Sequence, residues 1–371
     1  MTEPSSPEPG SPEHASAESG SPEPSSSEPG SPESGSPESG SPESGSPEPA
    51  NPERESASVP ALLAPGLGGS ASERLERMLA AAGMGAEAEV PEGFRSGFVT
   101  FVGRPNVGKS TLVNQILGQK ISIVSDKPQT TRHQIRGVLS RPESQIVFVD
   151  TPGIHRPRTL MGERLNDTAT SSLEGIDVAC LLIEANAAMG PGDRYIAERM
   201  PKNSVLVLNK TDAANAERIM SQLSKAAAFE FAEYFPISAK TGDGVDALVD
   251  YLASRLPVGP RWYPEGEVTD APEPFRVAEL VREQLLAVTR EELPHSIATR
   301  VSEWEWPRIR VEIIVERDSQ KGIVIGKGGS VLKEVGIRVR RQLPPGAFIE
   351  LHVTVDKDWQ SKAQSLERLG Y

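Results

Sequence analysis

Eight consecutive residues, Gly103-Arg104-Pro105-Asn106-Val107-Gly108-Lys109-Ser110, carry a Gly-x4-Gly-Lys-Ser spacing, with Thr111 following. Glycines at both ends let a backbone curl until its N–H groups face one point, and such a curl binds phosphate oxygens. Lys109 can then reach the β and γ phosphates of a nucleotide, while the Ser110 hydroxyl can ligate Mg²⁺. Three further clusters could serve the same site. In Asp150-Thr151-Pro152-Gly153 the carboxylate can hold the Mg²⁺ shell and the Gly153 N–H can sense a γ-phosphate. Asn209-Lys210-Thr211-Asp212 offers a carboxylate able to accept two hydrogen bonds from guanine, which adenine cannot give there. At about 1.5–3 kcal/mol for each charge-assisted bond, the two discriminate by roughly 10²–10⁴. Ser238-Ala239-Lys240 would complete the base site.

These residues predict binding of GTP and GDP with Mg²⁺. The metal set is Ser110, Asp150 and one threonine of the stretch around Thr130 and Thr131, with Thr131 the favoured one. A threonine there can cap Mg²⁺ and the γ-phosphate and order its loop only in the triphosphate state. Lys109, Thr131, Asp150 and Gly153 form the candidate catalytic group. Ile154 follows Gly153, where Ras-like enzymes use a glutamine to orient water, so slow intrinsic turnover is expected. His155 reads as a solvated loop residue and Cys180 as core.

The elements that must position these residues are legible as alternating runs. Apolar stretches of strand length lie at 97–102, 145–149, 177–183, 204–208 and 234–237. Helix-period stretches fall at 109–117, 161–172, 192–200, 213–225 and 245–255. This alternation predicts an α/β fold, a mostly parallel sheet covered by helices on both faces. In such sheets ligands bind beyond the carboxyl ends of the strands, where all four clusters fall. The domain spans residues 96–256. Residues 257–274 contain five prolines and two glycines and read as a linker.

Residues 275–371 read as a small α+β domain. A helix over 276–289 precedes strands at 296–304 and 309–316, a helix at 329–341 and a strand at 348–355. Ile325-Gly326-Lys327-Gly328-Gly329 opens that second helix, and a Gly-X-X-Gly turn there can approach a nucleic-acid backbone closely. Residues 321–341 carry six basic groups, Lys333 and Arg338 among them, against one acid, Glu334.

Composition sets the outer bounds. The formal charge is −13, but residues 1–50 hold ten glutamates and no Lys, Arg or Asp, so the other 321 residues carry −3. Residues 1–69 read as a disordered Ser/Pro/Glu/Gly-rich acidic tail, and 70–95 as a lead-in with a short helix at 71–82. One cysteine excludes a disulfide framework and a cysteine-rich zinc site. No apolar run spans a bilayer, and the N-terminus resembles neither a signal nor a transit peptide, so a cytoplasmic protein is expected.

Taken together, these elements resemble the bacterial Era GTPase family. The resemblance rests on the Gly103–Ser110 loop, Gln129-Thr-Thr-Arg-His133, Asp150–Gly153, Asn209–Asp212 and Ser238–Lys240. Leu293-Pro-His-Ser-Ile297 and the stretch from Val315 to Gly329 extend it, so that it covers residues 96–359. It implies a P-loop GTPase domain followed by a type II KH domain. It further implies a monomer that binds the 3′ end of 16S rRNA and assists maturation of the 30S ribosomal subunit under control of GTP. Relatives with an asparagine at the position of Asn106 can use K⁺ near the phosphates, and family members can associate loosely with the cytoplasmic face of the membrane. The acidic tail and Pro344-Pro345, which shortens the loop after the KH helix, depart from the family pattern. Two other readings stay open on sequence alone: an RNA-binding scaffold that hardly turns over, and a membrane-signalling GTPase.

Overall fold

A computed structural model describes residues 90–371 apart from 155, 156, 158, 174 and 290–292. The acidic tail, the 71–82 helix and His155 lie outside the described residues.

The first sheet is built by β1 (Arg95–Val102), β2 (Ile135–Arg141), β3 (Ser144–Asp150), β4 (Val178–Glu184), β5 (Val205–Asn209) and β6 (Glu233–Pro236), in the order β2-β3-β1-β4-β5-β6. All neighbours run parallel except β2, which pairs antiparallel with β3. Side chains on a strand alternate between faces, so a strand buried on both sides is apolar throughout. On one face Val99, Phe101, Ile146, Phe148, Cys180, Leu182 and Val207 pack with helices α1 (Lys109–Leu117) and α5 (Val245–Arg255). On the other, Val102, Leu181, Ile183, Leu206 and Leu208 meet α3 (Pro191–Ala197) and α4 (Ala216–Ala226).

Helix α2 (Leu160–Ser171) departs from this scheme. Its Met161 and Leu165 pack on Ala298, Ile314, Trp359 and Leu366 of the C-terminal part. Residues 257–274 also behave differently from a free linker. Trp262 and Tyr263 are buried against Phe98, Val138, Val147 and Val149. The Gln145 side chain accepts from the N–H groups of Trp262 and Tyr263 and donates to the Tyr263 carbonyl. The stretch is a strap packed on this part of the sheet.

The C-terminal part has the order α6 (Glu273–Val288), α7 (Leu293–Ser296), β7 (Ala298–Glu305), β8 (Arg308–Val315), α8 (Asp318–Ile325), α9 (Ser330–Arg340), β9 (Phe348–Val355) and α10 (Ala363–Leu369). Its sheet runs β7-β8-β9, with β7 antiparallel and β9 parallel to β8. Val277, Val281 and Leu285 of α6 pack with Ile309, Val311, Ile313 and, from α9, Val335 and Val339.

Candidate functional site

The loop between β1 and α1 curls as its glycines require. Gly108 takes φ +102°, and a Cβ there would lie 2.2 Å from the Asn209 amide, so no larger residue fits. Asn209 joins two of the clusters: its Nδ2 donates to the Val107 carbonyl at 2.8 Å and its Oδ1 accepts the Ala239 N–H at 2.9 Å. Lys210 donates to the Asn106 carbonyl at 2.8 Å and pairs with Glu184. The Asp212 carboxylate accepts the Ser238 hydroxyl at 2.7 Å, and the Thr211 N–H is held by the Ile237 carbonyl. Thus Asn209–Asp212 and Ser238–Lys240 meet beside the phosphate loop, as strand ends of one sheet should.

A concave pocket opens over this loop, lined by Pro105, Asn106, Gly108, Lys109, Ser110, Thr111 and Gly153, and closed by residues of the 123–131 segment. Lys109 is almost fully buried, and its nearest acceptors, the Gly103 and Arg104 carbonyls, are both at 3.3 Å. Desolvation pushes its ammonium down to about 8, against the pull of Asp150. Asp150 is wholly buried, with Ser110, Ser122 and the Thr151 backbone beside its carboxylate but no donor aligned well enough to bond either oxygen. Burial pushes its carboxyl above the usual range, with Lys109 opposing. The Ser110 and Thr131 hydroxyls lie 2.8 Å apart, whereas Thr130 turns away to the Lys127 carbonyl. Two adjacent hydroxyls and a buried carboxylate suit a hard divalent cation with oxygen ligands. Gly153 packs on Pro105 so closely that a Cβ would meet its nitrogen at 2.8 Å. Thr151 and Pro152 are buried between these loops, and Thr151 bonds the Phe101 carbonyl. Arg104 leans outward to an ion pair with the buried Asp193 at 2.7 Å.

At the second candidate site, Gly326 takes φ +75° and a Cβ there would lie 2.6 Å from the Val331 side chain, while Gly328 at φ +59° faces open space. Lys327 and Lys333 are exposed, Ile325 is half-buried, and Arg338 is paired with Glu334 at 2.5 Å. The apolar residues before the turn form α8, whose Gln320 reaches back to the N–H groups of Glu316 and Arg317. Ile323 on α8 is 59% exposed next to the turn.

Sequence reasoning missed a third feature, the contacts between the two parts. Arg132 is buried and donates to the carbonyls of Ile297 at 2.6 Å and His295 at 2.9 Å, with its guanidinium 5.8 Å from the Trp359 ring. His133 stacks on Tyr371, and desolvation pushes it down to about 4, so it stays neutral near pH 7. The only signal in the sequence was an arginine and a histidine directly after the two threonines.

Comparison with known proteins follows the same division. The family described as "50S ribosome-binding GTPase" matches residues 98–210, and the KH domain family matches residues 292–360. "GTPase Era" of Nocardioides sp. (strain ATCC BAA-499 / JS614) is 46% identical over 301 residues, 75% of this chain and 96% of the relative. "GTPase Era" of Mycobacterium tuberculosis (strain ATCC 25177 / H37Ra) is 48% identical over 298 residues, covering 75% and 99%. Among solved structures, Era in complex with MgGDPNP and nucleotides 1506–1542 of 16S ribosomal RNA superposes with a TM-score of 0.72 at 38% identity, covering 75% of this chain and 99% of that one. With both its parts matched in order and nearly the whole of each relative covered, the chain belongs to the Era GTPase family.

Proposed function

We propose that this chain is a GTP-hydrolysing, RNA-binding switch whose RNA is the 3′ region of 16S rRNA and whose task lies in maturation of the 30S subunit. The observation that carries the nucleotide half is the meeting of Lys109, Ser110 and Thr131 on one pocket, with the buried Asp150 behind them as the charge partner of Lys109. Backbone N–H groups of residues 106–111 would cradle the α and β phosphates beside Arg104 and Pro105, and Lys109 the β and γ. Ser110, Thr131 and Asp150 would hold Mg²⁺, directly or through its water. Bound there, the metal neutralises charge on the transferring phosphoryl group. The Gly153 N–H would meet the γ-phosphate, and Asp212 the guanine edge, with Asn209, Lys210, Thr211, Ser238, Ala239 and Lys240 shaping the base pocket.

The structure of the relative bound to an rRNA fragment supports the RNA half, together with the open Gly-X-X-Gly turn. Ile325, Gly326, Lys327, Gly328 and Gly329 would approach the strand, and Lys333 and Arg338 would meet its phosphates. K⁺ is a further proposed cofactor. The Asn106 amide donates to the Asp126 carbonyl at 2.6 Å, and K⁺ here rests on the family resemblance. Hydrolysis in KCl against NaCl tests this. The reading places the protein in the cytoplasm. Among the described residues no helix is long and apolar enough to cross a membrane. Peripheral membrane association rests on the family resemblance, and vesicle flotation tests it.

The deciding experiment measures affinity for a 16S 3′-end oligonucleotide with GTP analogue or GDP bound, in wild type, Lys109→Ala and Gly328→Asp. Lys109→Ala should lose nucleotide, and Gly328→Asp should lose RNA while keeping nucleotide. Equal RNA affinity in both nucleotide states of the wild type would refute the switch.

A further inference from the structure

The segment that closes the nucleotide pocket is gripped from the second domain. Glu279, Arg282 and Glu283 of α6 are spaced three and four residues apart, so they share one face of the helix, and all three are buried. One Glu283 oxygen accepts the Val124 N–H at 3.0 Å and the other accepts the Lys120 ammonium. Arg282 donates to the Thr130 carbonyl. Its guanidinium cannot swing away, because the Glu279 carboxylate accepts from Nε at 2.8 Å and from Nη2 at 2.6 Å. Val124 and Thr130 lie next to the two ends of the pocket-closing 123–131 segment.

Peptide planarity makes the Thr130 contact consequential. The Thr130 carbonyl and the Thr131 nitrogen belong to one rigid unit, so fixing that oxygen fixes where Thr131 begins. On the other side, Arg132 is anchored to the carbonyls of His295 and Ile297. Thr131 therefore hangs between two neighbours that are both fastened to the second domain, and in this position its hydroxyl meets Ser110.

We propose that Arg282, oriented by Glu279 and assisted by Glu283, is a positioning residue for GTP hydrolysis: through it the KH domain holds the 123–131 segment in the closed form that brings Thr131 to Ser110. Segment closure and docking of α6 are then one equilibrium, and whatever shifts one shifts the other by the same factor. The inference rests on the reading of Ser110 and Thr131 as metal-holding residues.

The test uses the full chain. Glu279→Gln/Arg282→Gln removes both members of the buried pair, so neither charge is left unpaired. Glu283→Gln is a milder second variant that keeps the side-chain shape. Affinity for Mg·GDP and for a Mg-bound non-hydrolysable GTP analogue is measured alongside kcat and KM for GTP. In both variants GDP affinity should stay within about twofold of wild type, since GDP does not require Thr131. In the double variant kcat should fall at least about tenfold and analogue affinity severalfold, with smaller losses for Glu283→Gln. Arg282→Lys, which keeps a cationic donor, should recover part of kcat. Unchanged kcat in both variants overturns the proposal. So does an equal loss of GDP and analogue affinity, which marks a merely structural role. If the wild type itself binds neither nucleotide, the proposed function has failed, and the inference falls with it.

Discussion

Nucleotide affinity should depend on pH through Lys109, with a sign and size that follow from its burial. In the free protein the ammonium is desolvated, with two carbonyls at 3.3 Å and Asp150 as its charge partner, and titrates at about 8. Phosphate oxygens arriving beside it favour the charged form and raise that value above the working range. The complex therefore holds more protons than the free protein above pH 8, and affinity falls as pH rises. Free Lys109 is about one-tenth deprotonated at pH 7 and about three-quarters at pH 8.5, which makes Mg·GTP binding about fourfold weaker at the higher pH. Over this interval guanine largely keeps its N1 proton, so the base contributes little. Calorimetry in two buffers of different ionisation enthalpy reads the coupled proton directly: about 0.75 taken up per nucleotide at pH 8.5 and about 0.1 at pH 7. Lys109→Arg, whose guanidinium stays charged throughout, should bind with a flat profile. An uptake below about 0.3 at pH 8.5 in the wild type would mean that the ammonium is hydrated in the free protein, and the argument from burial would be wrong.

Two further outcomes are expected. Asp212→Ala removes both charge-assisted bonds to guanine, so the preference for GTP over ATP should collapse by roughly 10²–10⁴ in competition binding, with phosphate contacts intact. Arg132→Met keeps an apolar stem but drops two charge-assisted bonds, one to the buried Ile297 carbonyl and one to the half-buried His295 carbonyl. Burial holds the Arg132 guanidinium below its ordinary range, so part of the gross gain is already offset. A net loss of about 2–4 kcal/mol is expected, read from the urea midpoint, and a change under about 1 kcal/mol would mean that water replaces those bonds.

How much of this was legible in the sequence depended on which residue types are chemically unambiguous. The Gly103–Ser110 loop could be read because glycine, lysine and serine at that spacing have few other uses between a strand and a helix. Strand β2 was missed: Ile135–Arg141 mixes Gly137, Arg136, Ser140 and Arg141 with its apolar residues, as an edge strand with one wet side does. Residues 257–274 were read by their prolines and glycines, while Trp262 and Tyr263, which decide the packing, occupy two positions only. Helix α8 was hidden by Gly322 and a run of Ile and Val that favours strands locally, a preference its packing on β9 and α9 overrides. Glu279, Arg282 and Glu283 carry the spacing of any solvated helix face, and only the fold reveals that the 123–131 segment covers them.

Both segments that would face the γ-phosphate are docked on the KH side. The 123–131 segment is held by α6, and α2, which follows the Asp150–Gly153 cluster, buries Met161 and Leu165 against Trp359 and Leu366. Neither can move without breaking contacts to that domain. A coupling of about 1–3 kcal/mol between two sites requires only one or two charge-assisted bonds to differ between states, and this interface holds several. Helix α6 also reaches the other site. The face turned from Thr130 carries Val281 and Leu285, which pack with Val335 and Val339 of α9, and the Gly-X-X-Gly turn forms the start of α9. One rigid helix thus borders the nucleotide-closing segment on one side and the support of the RNA-facing turn on the other. Coupling between GTP and RNA then needs no chain of small relays, only that α6 has two seats and that each ligand favours the same one.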